Sequence, residues 1–288
     1  MKILLLAGSL IINCALAGAA VPTTVNSVNR YAYGANIGWI DGRGGVNNGA
    51  VIGEYVCSGY FYSANVGWIS LGSGFPANGI FYQNNSATDF GVNQDGLGNL
   101  RGYAYSANVG WINFENTGAP TVDLRTGRLS GSVYSANCGW ISLSNAFAFV
   151  QTDSLSPGAD NDANGLPDAW ELLNFGHLGV SPTADADGDG VSNKQEYLAG
   201  TNPNDPTDYL KITSATLASG GTSVTLSWKS LATRFYYLQK TLSLGSGGWT
   251  DSGLGLIAPD GLSTTRGFSD SSAPARFYRI QAVRPLIP

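Results

Sequence analysis

The sequence predicts a mainly β protein in three consecutive parts: a repeat-built β domain, a short loop-and-helix spacer and a β-sandwich. Three observations carry this. An aromatic phrase recurs four times before residue 150, and two oxygen-rich twelve-residue windows follow at 160–171 and 185–196. Short alternating apolar runs, split by Gly, Ser and Pro, then fill 209–288. Hydrophobic residues make up 43% of the chain, enough to fill ordinary cores, so disorder is not expected despite 39 glycines. A net charge of −5 argues against nucleic acid or an anionic membrane surface as a partner.

Residues 1–20 have the form of a signal peptide. Met1-Lys2 precedes an apolar run, and small residues allow cleavage after Ala17, Ala19 or Ala20. No later apolar run approaches the ~20 residues that span a bilayer, so the expected location is secreted or cell-surface, with no membrane span after signal removal.

The repeat domain is expected over 21–152. Tyr31–Ile40 returns as Tyr60–Ile69, as Tyr103–Ile112 and as Val133–Ile141, with Trp spacings of 29, 43 and 29. Ala-Asn-X-Gly lies between two alternating runs in each copy, which predicts a β-hairpin. Gln94–Leu100 and Asp123–Leu129 have turn composition and add a second turn to later copies. Alternation sorts the side chains. Ile69 and Leu71, Ile112 and Phe114, and Ile141 and Leu143 share the face that must be core. Trp39, Trp68, Trp111 and Trp140 lie on the other face, joined by Tyr62, Tyr105 and Tyr134. Those rings are either cross-strand pairs that stiffen a Gly-rich sheet or stacking platforms for sugar rings. The copies resemble Gly-Trp-Ile repeats of exported bacterial proteins, a resemblance that brings no assigned activity. Cys57 and Cys138 are an even pair in an exported chain, which favours a disulfide.

The spacer, 153–208, carries the chemistry. Between 151 and 210 there are 11 acidic residues and one basic residue, Lys194, a concentration that repels itself unless cations neutralise it. Each window sets oxygen donors at positions 1, 3, 5, 9 and 12 and Gly at position 6. Position 7 offers its backbone carbonyl. That is the spacing by which a curled loop surrounds Ca²⁺ with six to eight oxygens. The candidate ligands are Asp160, Asp162, Asn164, Leu166, Asp168 and Glu171 in one loop. In the other they are Asp185, Asp187, Asp189, Val191, Asn193 and Glu196, giving two Ca²⁺ sites. Pro167 suits a helix start, and Ser192 with Gln195 has capping-box spacing, so each loop should run into a helix. Turn residues on the entry side exclude a preceding helix. Loop-then-helix units of this kind resemble dockerins and thrombospondin type 3-like repeats. Where dockerins carry small hydroxyl residues this chain has Ala169-Trp170 and Lys194-Gln195, so the thrombospondin-like resemblance is the better one. It implies a calcium-rigidified spacer.

Strand candidates at Ser223–Trp228, Phe235–Gln239, Gly267–Ser269 and Arg276–Ile280 predict a β-sandwich over 209–288, resembling fibronectin type III or immunoglobulin-like modules. Trp228 and the Phe277-Tyr278 pair should be core. Catalysis is not expected. The only histidine is His177, in the spacer, which excludes Ser-His-Asp and Cys-His systems and a His-ligated zinc. The repeat domain's six acids, Asp41, Glu54, Asp89, Asp95, Glu115 and Asp123, occupy no repeated position. The expected role is structural or adhesive at the cell surface, with another surface protein as partner. The alternative is carbohydrate binding, with a polysaccharide as partner.

Overall fold

The structure, a computed structural model, describes residues 23–44, 47–218, 222–243, 248–270 and 276–287. The expected signal peptide lies outside them. The first part contains β1 (Val25–Gly34), β2 (Gly38–Asp41), β3 (Ser58–Ser63), β4 (Gly67–Ser73), β5 (Val92–Gln94) and β6 (Leu100–Ser106). It continues with β7 (Gly110–Asn113), β8 (Thr121–Val122), β9 (Leu129–Ser130), β10 (Ser132–Ser135), β11 (Gly139–Ser142) and β12 (Val150–Thr152).

Each repeat is the predicted hairpin. Tyr33 faces Trp39, Tyr62 faces Trp68, Tyr105 faces Trp111 and Tyr134 faces Trp140 across β1/β2, β3/β4, β6/β7 and β10/β11. The turn glycines Gly38, Gly67, Gly110 and Gly139 have φ of 73–77°, where a β-carbon is disfavoured. The hairpins pair edge to edge in chain order, and β11 returns to β1 through Tyr33 and Ser142. Eight antiparallel strands thereby close into a barrel. Across each seam the Tyr faces Asp41, Ser70, Asn113 or Ser142, always two positions beyond the neighbouring Trp. That step, repeated around the sheet, supplies the stagger that closure requires.

The barrel is filled by layers of one residue per repeat. Ala32, Phe61, Ala104 and Val133 form one, Ile40, Ile69, Ile112 and Ile141 another, and Ile37, Val66, Val109 and Cys138 close the turn end. The aliphatic face predicted as core is buried throughout, and Val92, Val122, Leu129 and Val150 from the outer strands extend it.

A ring of amides locks the turn end. Asn65 Nδ2 donates to the Ile37 carbonyl (3.1 Å), Asn108 to Val66 (3.0 Å), Asn137 to Val109 (3.1 Å), and Asn36 closes the circle on Cys138 (3.1 Å). Ser63, Ser106 and Ser135 hydroxyls reach the first three of those carbonyls as well. The first repeat has Gly34 in place of that serine, so the amide of Asn36 alone reaches the Cys138 carbonyl. The repeated Ser-Ala-Asn therefore encodes contacts between copies as well as a turn.

Cys57 and Cys138 are both buried and are not bridged, contrary to the disulfide expectation. Cys138 sits in the turn layer, whereas Cys57 precedes β3 at the opposite end. Six strand residues at ~3.3 Å each place it about 20 Å away, far beyond disulfide reach. Burial pushes the Cys57 thiol up to about 12, so it packs as an apolar group.

The last part contains β13 (Ile212–Leu217), β14 (Ser223–Lys229), β15 (Phe235–Thr241), β16 (Thr250–Asp251), β17 (Ser263–Ser269) and β18 (Phe277–Val283). They form two three-stranded sheets, β13-β14-β17 and β16-β15-β18, as predicted for a small sandwich. Val224, Leu226 and Trp228 meet Tyr236, Leu238, Ile257 and Phe268 between them. Trp228 is fully buried, edge-on to Tyr236, while Phe277 and Tyr278 are half-buried at the margin. Among the described residues no helix is long and apolar enough to cross a membrane.

The amide ring makes a graded prediction for urea denaturation. Asn36→Ala should cost about 1–3 kcal/mol, because it strips the Cys138 carbonyl of the ring's only donor there. Asn65→Ala should cost clearly less, because Ser63 still serves Ile37. Equal costs would show that these amides stabilise only their own turns. A second check is chemical: the denatured, signal-free protein should take up two alkylating groups without prior reduction, where a bridged pair would take up none.

Candidate metal centre

Between barrel and sandwich the chain forms two loops, each running into a helix: α1 (Asp168–Phe175) and α2 (Asn193–Ala199). Pro167 caps α1 from just outside it, and Ser192 and Gln195 form the predicted capping box on α2. Gly165 (φ 87°) and Gly190 (φ 91°) make the sharp turn expected at position 6. Position 4 is left-handed too, as Ala163 (φ 56°) and Gly188 (φ 83°), a demand visible beforehand only in the second loop's glycine.

Both loops use closely similar internal hydrogen bonds. The position 1 carboxylate accepts backbone N–H groups with both oxygens: Asp160 from Asn164 (3.1 Å) and Gly165 (2.9 Å), Asp185 from Gly188 (2.8 Å) and Gly190 (2.8 Å). Position 3 accepts from the N–H of position 5, as Asp162 from Asn164 and Asp187 from Asp189. Position 5 accepts from position 7, as Asn164 from Leu166 and Asp189 from Val191. One oxygen of each of Asp162, Asp187 and Asp189, and the single amide oxygen of Asn164, is thus spent on curling the loop. The second oxygen of each aspartate is left for something else.

In the second loop nothing among the described residues takes that remaining oxygen. Asp187 Oδ2, Asp189 Oδ2, Asn193 Oδ1 and Glu196 Oε2 are buried without a partner. Carboxylate oxygens of Asp185, Asp187 and Asp189 lie within 4.8 Å of one another. Glu196 Oε1 accepts from the Thr201 hydroxyl (3.2 Å). Burial, and then the charges of Asp187, Asp189 and Asp185, raise the Glu196 carboxyl to about 7. Orphaned, mutually repelling oxygens are what a divalent cation would relieve, so the residues fit Ca²⁺.

The first loop is a variation. The Asn164 amide donates to Asp162 Oδ2 (3.0 Å), Glu171 Oε1 (2.9 Å) and the Val180 carbonyl (3.0 Å), standing between carboxylates where a cation would. Glu171 Oε1 also accepts from Val180 N–H (2.7 Å), while its Oε2 is buried and unpartnered. Asp168, at position 9, is turned aside: Asn161 donates to its two oxygens through backbone N–H and side-chain amide. Its counterpart Asn193 donates to the Ser181 carbonyl (2.9 Å) and keeps Oδ1 free of protein donors. The side chain of Leu166, at position 7, packs with Trp170, Val180 and Tyr197 in a small core behind the loops, leaving only its carbonyl for coordination.

That core is joined to both neighbours. Tyr55 of the barrel domain packs on it. The Tyr197 hydroxyl donates to Glu54 Oε2 (3.0 Å), and Arg284, after β18, donates to Glu54 Oε1 (2.6 Å) and to Tyr197, its guanidinium 5.0 Å from that ring. Arg234 of the sandwich donates to the Tyr197 and Leu198 carbonyls at the end of α2 (3.0 and 2.9 Å), supplying the cation that a helix C-terminus favours. The segment expected as a spacer is a packed joint. Glu54, Arg234 and Arg284 carried no sequence signal, because each finds its partner across more than thirty residues of chain. His177 is exposed, with Nδ1 3.0 Å from the Leu178 carbonyl.

The other candidate residues lie on the barrel's outside. Trp39, Trp68, Trp111 and Trp140 are 42–50% exposed, each packed against its own Tyr at 4.8–5.1 Å between ring centres. Tyr33 completes the set begun by Tyr62, Tyr105 and Tyr134. The rings are cross-strand pairs that remain half-exposed.

Comparison with known proteins adds one finding. Residues 185–206 match the family model of the bacterial TSP3 repeat, a calcium-binding repeat, and they begin at the first aspartate of the second loop. No curated protein and no solved structure matches the chain.

Proposed function

We propose that this is an exported, non-catalytic protein, structural or adhesive at the cell surface, in which two Ca²⁺ ions lock the joint between barrel and sandwich. One observation carries the reading: the carboxylate oxygens left without donors belong to the same two loops whose shared core is tied to Glu54 on one side and to Arg234 and Arg284 on the other. An unpaired buried carboxylate costs several kcal/mol. Each ion removes two negative charges and gives the orphaned oxygens a partner, so occupied loops hold α1 and α2, and through Tyr197 the two β domains. Asp160, Asp162, Asn164 and Glu171 would hold the first ion, with the Leu166 carbonyl. Asp185, Asp187, Asp189, Asn193 and Glu196 would hold the second, with the Val191 carbonyl.

The absence of catalysis is supported by the barrel's acids, which all have structural employment. Asp41 pairs with Arg30 and Glu54 with Arg284. Asp89, Asp95 and Asp123 accept N–H groups of their own loops, and Glu115 accepts from Gly102. A second reading, carbohydrate binding, is favoured by the half-exposed Tyr–Trp pairs, whose bare faces are the kind of surface on which sugar rings stack.

Limited proteolysis tests the calcium joint. Sites of this type bind at about 10⁻⁴–10⁻³ M. In chelator the 150–208 region should be cut quickly, and in millimolar Ca²⁺ it should resist. Identical digestion patterns would remove the ion from the structure's support.

The elevated Glu196 carboxyl gives a pH test. Its value in the fold, about 7, exceeds that of an ordinary glutamate, so the fold without metal favours the protonated acid. In chelator the melting midpoint should therefore fall as pH rises from about 5 to about 8. Saturating Ca²⁺, which binds the ionised form, should abolish or reverse that slope, and Glu196→Gln should flatten it. A slope unchanged in Glu196→Gln would assign it to other groups.

A further inference from the structure

The barrel's four-fold repetition is broken between the second and third Trp, where the spacing lengthens from 29 to 43 residues. The added length lies in the loop joining β4 to β5, which buried polar groups fasten. Asp89, buried, accepts from Ala77 N–H (3.0 Å) and Gln83 N–H (3.1 Å). Asn93 clamps Tyr82 with both amide atoms, at 2.9 Å each. The buried Tyr82 hydroxyl donates to the Cys57 carbonyl (3.1 Å) and accepts from Gly74 N–H (2.6 Å). The loop is thus pinned in place before any ligand arrives, which lowers the ordering cost of binding.

Its far end leans over the third hairpin. Phe90 stands edge-on to Trp111, ring centres 5.1 Å apart at 83°, and Trp111 remains 46% exposed. The space enclosed is a cleft of about 450 Å³, walled by Phe90, Tyr103 and Trp111 and rimmed by Asn84, Asn85 and Ser86. No lining side chain is charged. The amide of Asn84 is committed to the loop through Gly91 N–H (3.0 Å) and the Tyr82 carbonyl, whereas the exposed amide of Asn85 is free to face a ligand.

We propose that this cleft binds a neutral sugar unit of a polysaccharide. The inference rests on the carbohydrate reading above and narrows it to one of the four aromatic pairs. A pyranose ring offers an apolar C–H face to Trp111 and a hydroxyl edge that both donates and accepts, which matches an amide's two functions. A nucleic-acid strand also stacks on aromatic rings, but its phosphates require cations that the cleft lacks.

Affinity electrophoresis of the full chain in millimolar Ca²⁺ tests this, with gels containing a β-glucan, a galactomannan, a xylan or, as the charged comparison, alginate. The expected result is retardation in a neutral gel, weakened roughly tenfold by Trp111→Ala and by Asn85→Ala and kept by Trp39→Ala. Asn85 is exposed and its side chain makes no hydrogen bond among the described residues, so its variant isolates the cleft from barrel folding. If Trp39→Ala weakens binding as much as Trp111→Ala, or Asn85→Ala weakens nothing, sugars bind the barrel elsewhere and the cleft assignment falls alone. Retardation only in alginate overturns the neutral specificity, and retardation in no gel overturns the carbohydrate reading with it.

Discussion

The constraint on which this molecule depends is electrostatic. Loops 160–171 and 185–196 curl by giving side-chain oxygens to the backbone, and in Asp187 and Asp189 of the second loop that leaves another carboxylate oxygen close to neighbouring acids. In Asp187, Asp189 and Glu196 the second oxygen is then buried without a donor among the described residues. Desolvation and like charge act in the same direction there, which is why the Glu196 carboxyl holds its proton far above the usual glutamate range. A fold cannot remove such a conflict by packing alone. It protonates, opens or binds a cation, and in the proposed reading it takes the last course, with calcium, because that leaves the helices behind the loops intact.

The barrel solves a different problem by different means. A hairpin row that closes on itself must keep a constant step between copies, and small slips would turn core residues outward. The step is held at the turn end, where each asparagine reaches the carbonyl of the preceding copy, and by the glycines whose left-handed backbone sets the turn. Two kinds of restraint thus divide the chain. Neutral hydrogen bonds between copies hold the barrel, and on the proposed reading charge neutralisation holds the joint. The first should be insensitive to salt and chelators, the second acutely sensitive.

Much of this was legible in the sequence because it is local or periodic. The four hairpins, their aliphatic core face, the calcium-loop spacing, the Ser192–Gln195 capping box and the paired sheets at the C-terminus all follow from alternation, turn residues and oxygen positions. Closure of the barrel was not legible, because pairing of β11 with β1 joins residues more than a hundred positions apart. The role of Asn164 was half legible: position 5 marks it as a ligand, but nothing local says its amide would bridge Asp162 and Glu171. Asp168 is misplaced for coordination because Asn161, one residue inside the loop, competes for its oxygens. The disulfide expectation failed since an even cysteine count says nothing about which end of a barrel each cysteine occupies.

Departures from repetition are where a repeat domain can acquire something its scaffold does not need. Three occur here. Gly34 for serine weakens one joint of the amide ring and leaves Asn36 to hold it. Cys138 for isoleucine or valine changes a buried side chain without changing its layer. Both are substitutions within the scaffold, and packing accounts for them. The third, the long loop ahead of the third hairpin, is held by its own buried groups: Asp89 accepts from the loop's backbone, and Tyr82 ties the loop to the barrel at the Cys57 carbonyl. A buried carboxylate is a costly way to fix a loop of no consequence. Its product is a cleft at Trp111 walled by Phe90 and free of charged side chains, where the smaller cleft beside Tyr134 and Trp140 includes Glu115, and that difference, rather than the exposure common to all four pairs, is the reason to place recognition there.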